Sequence, residues 1–315
     1  MTRKRITIIR RIILIISFLC LFAAIVYLLI HYREQQIYNN TIKGIRDTAY
    51  IPDANEADLF AAQEDPPVSD EKKAMNEDSP VSDKKAITNE DSPVSDKKTI
   101  TNEDSPASDK KTVTKKTPSI IDFQQLYTIN KDICAWLKIP ETSIDYPVLY
   151  HAGDNEYYLH KDLNQKYSSY GSLFFAQGCI PIQQDTSLLV YGHHMKDGSM
   201  FAELIRYEQK DYCTNHPYIH LYTPEYNYQY QVAAVILTDI SKENPDAIYC
   251  NNYIDMSDSA TMEEFAQKIE KSKLYDTGIS LLPGDQLLML STCEYSSENG
   301  RLVVIARQTA KSECE

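Results

Sequence analysis

An uncharged apolar run of 19 residues, from Ile12 to Ile30, constrains this 315-residue chain more than any other feature. A helix rising about 1.5 Å per residue spans a hydrocarbon layer of about 30 Å over that length, and inside such a layer only a helix pairs every backbone N–H and C=O within one segment. Arg3, Lys4, Arg5, Arg10 and Arg11 precede the run. By the positive-inside rule the N-terminus is cytoplasmic and everything after His31 faces outward. A cleaved leader would have a shorter apolar region and a small-residue cleavage site, which Tyr27-Leu28-Leu29-Ile30-His31-Tyr32 does not offer.

Three segments follow from the pattern: a tail and membrane anchor over 1–32, an extracellular linker over 33–118, and a globular domain over 119–315. Within the linker, Glu34 to Phe60 reads as a short helix leaving the membrane. A 13-residue repeat comes next, with clear copies from Asn76, Asn89 and Asn102 and a degenerate one from Gln63. Each clear copy carries a Pro and almost nothing apolar, so the segment cannot bury enough surface to fold and is expected to be disordered. As a flexible coil of about 50 residues it would reach about 40 Å, since reach grows as about 5–6 Å times the square root of length. It either lifts the domain off the membrane or is a drifting low-complexity insert.

Beyond Pro118 the chain becomes globular, and a 43% hydrophobic content supports one sizeable core. Ile120 to Ile129 predicts a short amphipathic helix. Short apolar or alternating runs then predict strands at Ala135–Ile139, Tyr146–Tyr150, Gly171–Ala176, Ser187–Tyr191, Tyr218–Tyr222 and Tyr228–Leu237. A final hairpin joins Gln286–Cys293 to Arg301–Arg307. About eight short strands argue for a mostly β closed barrel or sandwich. One helix interrupts them, Thr261 to Tyr275, with Thr261 and Glu264 spaced as a capping box and Met262, Phe265, Ala266 and Ile269 on one face.

The hairpin places Cys293 and Arg301 near each other at a strand end. A thiol beside a fixed cation is a nucleophile environment, because the cation favours thiolate and can hold an oxyanion. The plain alternative is a small buried strand residue and a surface charge. A second strand, Ser187 to Tyr191, runs into Gly192-His193-His194, where an imidazole at a strand end suits a nucleophile-and-base pair. Side chains alternate along a strand, so only one of the two histidines can face the sulfur. Tyr191 lies two residues before His193 and shares its side. Cys134, Cys179, Cys213, Cys250 and Cys314 have no Cys-x-x-Cys spacing and no paired His, which disfavours a metal site and leaves a disulfide open. His151, His160, His216 and His220 are read as surface or core hydrogen-bonders. From Ser119 onward acidic residues outnumber basic ones 27 to 14, which disfavours nucleic acid and anionic lipid as partners of the domain surface.

Together, Leu290-Ser291-Thr292-Cys293, the Arg eight residues later, and Tyr191-Gly192-His193-His194-Met195 with Gly198-Ser199-Met200-Phe201 resemble a class B sortase, a membrane-anchored cysteine transpeptidase of Gram-positive bacteria. The resemblance covers about residues 119–310. It implies an eight-stranded sortase-type β-barrel with an N-terminal helix and a long helix between strands 6 and 7, behind the transmembrane helix and disordered linker. It further implies Cys293 as nucleophile, His193 as acid/base and Arg301 as the family arginine, with no cofactor. Tyr191, Ser291 and Glu294 are the candidate substrate-binding residues. The implied partners are surface proteins carrying a C-terminal sorting motif, a peptidoglycan precursor amine, and the membrane through the N-terminal helix. Met289 stands where the family usually has Thr, which bears on packing or pocket shape rather than chemistry. A pilin-polymerising sortase would use the same chemistry on a lysine amine. A papain-like protease has its Cys before its His, an L,D-transpeptidase has a Ser-x-Gly-Cys-x-Arg type motif, and a non-enzymatic surface protein gives no reason for the three residues to fall in this order.

Overall fold

In the computed structural model, residues 3–52, 56–60, 116–179, 187–295 and 297–314 are described. The 13-residue repeats lie outside them. Helix α1 (Arg3–Ala49) is continuous over 47 residues, and its apolar run Ile12–Ile30 is exposed in the isolated chain, long and apolar enough to cross a membrane. The short helices α2 (Ala57–Phe60), α3 (Phe123–Ile129) and α4 (Lys210–Asn215) and the longer α5 (Ser259–Ser272) surround a sheet.

Eight strands make that sheet: β1 (Ile133–Lys138), β2 (Asp145–Leu149), β3 (Leu173–Phe175), β4 (Leu188–Tyr191), β5 (Tyr218–Tyr222), β6 (Tyr226–Asp239), β7 (Leu287–Cys293) and β8 (Gly300–Glu313). They close in the order β1-β2-β3-β4-β7-β8-β6-β5. The expected mostly β, eight-stranded barrel is therefore present, with α5 between the sixth and seventh strands. β4 and β7 run parallel, Leu188 opposite Leu288 through Tyr191 opposite Ser291. Being central in a closed sheet, β7 is buried along almost its whole length, which explains a continuous apolar run in place of alternation. Met289 is fully buried between Leu189 and Ile305, so it is a packing residue.

Two expectations change. The cap of α5 is Asp258, whose carboxylate accepts from Thr261 N–H and Oγ1–H, so the helix begins before Thr261 and the expected capping box is not used. The Asp258 carboxylate satisfies the orphan Thr261 N–H, the service that Thr261 as cap would have given to Glu264 N–H three residues later.

The second change concerns residues 34–60. They are no separate stalk but part of one compact unit with the barrel. Tyr38, Ile42, Ile45 and Ala49, spaced at helical intervals, are buried against the domain. Tyr38 stacks on Tyr170 at 4.3 Å, Arg46 Nε donates to the Asp145 carbonyl at 2.7 Å, and Tyr50 Oη donates to Asp145 Oδ1 at 2.6 Å. Past α1, Glu56 accepts from Tyr222 and pairs with Lys138 and His220, and Phe60 packs on the His220 ring. After the repeats, Thr117 N–H donates to the Glu313 carbonyl and Asn227 Nδ2 donates to Thr117 Oγ1. Tyr222 and Asn227 are register partners on β5 and β6. The described chain thus leaves the barrel near Phe60 and rejoins it at Thr117 at adjoining positions.

Candidate active site

Cys293 ends β7 and Arg301 lies one residue into β8, and the two are direct register partners. The hairpin expected from sequence holds: Glu294 N–H donates to the Gly300 carbonyl at 3.0 Å and closes the turn. On the other side of β7, β4 ends at Tyr191 and the chain turns at Gly192 into His193. Only Gly fits there, because a Cβ would overlap Leu173 Cδ2 and the Phe201 ring. Thr292 Oγ1 donates to the Gly192 carbonyl at 2.8 Å, pinning this turn to the strand that carries the sulfur.

A cavity of about 330 Å³ opens at this rim, lined by Cys293, His193, Arg301, Tyr191 and Ser291 among others. Five of the six expected site residues therefore meet in one concavity. Glu294 does not line it; its backbone belongs to the turn, and its charge adds to burial in raising the Glu208 acid. A narrower cavity of about 50 Å³ adjoins, sharing Tyr191, Ser291 and Arg301 and continuing past Ile240 and Tyr249.

The two histidines diverge as strand alternation requires. His193 lines the cavity, and His194 does not. His193 Nε2 bonds the Leu159 carbonyl at 2.7 Å, and since a carbonyl only accepts, Nε2 carries the hydrogen and Nδ1 is the nitrogen that gains and loses a proton. Burial lowers the His193 pKa below its ordinary value, the Leu159 bond opposes this, and the nearby His160 adds to the lowering. His194 instead donates from Nδ1 to the Cys293 carbonyl at 3.1 Å, and Tyr295 donates its hydroxyl to the His194 carbonyl at 3.0 Å. It fastens the end of β7. Burial pushes the Tyr191 phenol up to about 12, so it stays a neutral donor.

Sequence reading passed over two residues here. His160, read as a surface or core hydrogen-bonder, lines the cavity and stacks on His193 at 5.5 Å. Thr292 was visible only as part of a motif. The placement of His160 was not readable, because the β2–β3 loop that brings it to the rim has no periodicity to place it. His151, His216 and His220 do bond structurally, to Asp132, to the Tyr212 carbonyl and to Glu56. All seven cysteines are free thiols, and no metal-holding cluster occurs among the described residues.

A sortase domain family model matches residues 137–309, more than half of the chain, and the chain belongs to the sortase family of cysteine transpeptidases. Sortase B of Listeria monocytogenes is 32% identical over 192 residues, covering 60% of this chain and 75% of that protein. Sortase B of Staphylococcus aureus is 30% identical over 191 residues, covering 59% and 73%. Among solved structures, Clostridium perfringens sortase B aligns with a TM-score of 0.53 at 27% identity, covering 59% of this chain and 99% of that one. The Staphylococcus aureus sortase B–substrate complex aligns with a TM-score of 0.51 at 28% identity, covering 59% and 83%. Within the family, these relatives and structures place the chain with the class B sortases.

Proposed function

We propose that the chain is a membrane-anchored transpeptidase that cleaves a C-terminal sorting signal in surface proteins and joins the new carboxyl end to a cell-wall amine, with its catalytic domain outside the cell. The observation that carries this reading is the register pairing of Cys293 with Arg301 at the rim of a cavity that His193 also lines. In the first half-reaction the Cys293 thiolate adds to a substrate carbonyl carbon while Arg301 donates to the developing oxyanion. The C–N bond then breaks, the leaving amine takes a proton from His193 Nδ1–H, and a thioester remains. In the second half-reaction an incoming amine attacks the thioester and gives its proton to neutral His193. The new C–N bond forms, the C–S bond breaks, and the thiolate is regenerated. Tyr191 and Ser291, on the cavity wall, are the substrate-contacting candidates.

Incubating the full chain in detergent with sorting-motif peptides and short glycine or diaminopimelate-type amines, followed by mass spectrometry, tests the assignment. A ligated amide that disappears in Cys293→Ala is expected. Ligation only to a lysine-bearing protein would move the function to polymerisation, and hydrolysis without ligation would remove the transpeptidase reading.

A further inference from the structure

The largest cavity described away from the rim, about 530 Å³, lies between α1 and the β2–β3 loop and is bordered by Ile30, Arg33, Ile37, Leu163, Lys166 and Tyr167. Its position is its most informative property. Ile30 closes the apolar span, so an upright helix puts Arg33 about 5 Å and Ile37 about 10 Å beyond the hydrocarbon edge, at 1.5 Å per residue. The headgroup layer occupies about 5–8 Å on each side of a bilayer. The mouth of the cavity therefore opens at headgroup level. Large apolar groups there are left facing out: Ile30 is 62% exposed, Ile37 61% and Tyr167 79%. A ring so exposed beside the end of a membrane span occupies the place where aromatic belts sit.

The charges at this mouth divide into engaged and free. Glu34 Oε1 accepts from Ser169 N–H and Oγ–H at 3.0 Å each, and Asp162 Oδ1 accepts from the Asn164 and Lys166 N–H groups at 2.9 Å. Arg33 and Lys166 have no side-chain hydrogen bond or ion pair among the described residues. Two free cations beside Ile30, Ile37 and Leu163, with both carboxylates of the mouth already accepting hydrogen bonds, fit one anionic oxygen cluster flanked by hydrocarbon.

We infer that this cavity is a glycerophospholipid site, in which the phosphate of an outer-leaflet lipid lies between Arg33 and Lys166, its glycerol and upper acyl carbons pack on Ile30 and Tyr167, and its headgroup lies toward Ile37. The four charges around the cavity sum to zero, so the site selects for the phosphodiester and not for net negative lipid. This agrees with the acidic surface of the domain, which disfavours anionic membranes at large. The site rests on the reading of α1 as a membrane anchor. The same loop runs on from Leu159 and His160, which line the active-site cavity, so lipid and catalysis share one segment.

The test uses the full chain reconstituted into vesicles of phosphatidylcholine, with or without phosphatidylglycerol. Tyr167→Trp places a fluorophore at the mouth, against the constant background of buried Trp136. Leu282→Trp places one at an exposed position before β7, the barrel end opposite Cys293. With phosphatidylcholine brominated near the top of its acyl chains, emission from the Tyr167→Trp chain should be quenched at least twofold more than that from Leu282→Trp. Adding Arg33→Glu and Lys166→Glu should halve that quenching in both vesicle types. Equal quenching at the two positions in a chain that floats with the vesicles overturns the lipid site and leaves the anchor standing. A charge-reversal effect seen only with phosphatidylglycerol reduces the site to general electrostatics and overturns it as well. A chain that fails to float overturns the anchor, and the site with it.

Discussion

At the scale of single residues, the separation of His193 from His194 makes unequal losses. His193→Ala should reduce ligation about 10²- to 10⁴-fold, the range of a positioned acid or base. His194→Ala removes only the bond to the Cys293 carbonyl and should cost about 10-fold or less. Equal losses in a peptide-ligation assay would contradict the geometry. Burial and His160 together depress the His193 pKa, so the imidazole is mostly neutral at pH 7, ready for the amine step and scarce in the acid form. Histidine resonances in Cys293→Ala should place the His193 midpoint below 6.5, and His160→Asn should move it upward. A midpoint at or above 6.5, unmoved by His160→Asn, would show that Leu159 outweighs both. Arg301→Lys keeps the charge and loses the guanidinium fork, and turnover should fall by roughly 10²-fold if that fork holds the oxyanion.

At the scale of elements, Gly192 and α1 decide whether the rim holds its shape. Gly192→Ala forces Leu173 or Phe201 to move, an overpacking cost of about 1–3 kcal/mol that guanidinium unfolding would register, together with displacement of His193. Through Tyr38 and Tyr170, α1 reaches the loop behind the histidines: Tyr170 Oη donates to Asp197 Oδ2 at 2.8 Å, and Tyr38 Oη lies 2.6 Å from Met200 Sδ. A domain begun at Ser119 loses these contacts. With about 1.5–3 kcal/mol for each large buried side chain, its melting temperature should fall by roughly 10 °C or more relative to one begun at Glu34, and turnover should fall too. The eight strands and the site hairpin were legible because their apolar periods are short and bounded by Gly, Pro and Asn. The docked half of α1 was not, since one long hydrophobic helix hides the change from an all-round apolar, exposed surface to a single buried stripe. The second half of β8, Gln308 to Glu313, is polar and became a strand only by pairing with β6.

At the scale of the whole molecule, the junction at Glu56 sets an acid limit. Burial favours the neutral acid there, yet bonds from His220, Lys138 and Tyr222 outweigh it and bring the carboxyl down to about 2. A depressed carboxylate contributes stability that is present above its unfolded value near 4.5 and is lost as pH falls toward 2. Wild type should therefore exceed Glu56→Gln by at most about 3 kcal/mol at neutral pH, with the gap closing between pH 4.5 and 2 in urea titrations. A gap independent of pH would assign the contribution of Glu56 to packing.

The return of the chain at Thr117, beside the place it left near Phe60, has a mechanical consequence. Because the chain leaves and rejoins one compact unit, a force between that unit and the N-terminal end of α1 is borne by α1 and its contacts and bypasses the segment between. Excising 64–114 should leave turnover on membrane-embedded substrates unchanged, and a drop would show that the segment acts at a distance. Whole 13-residue units can then be gained or lost without moving the active site.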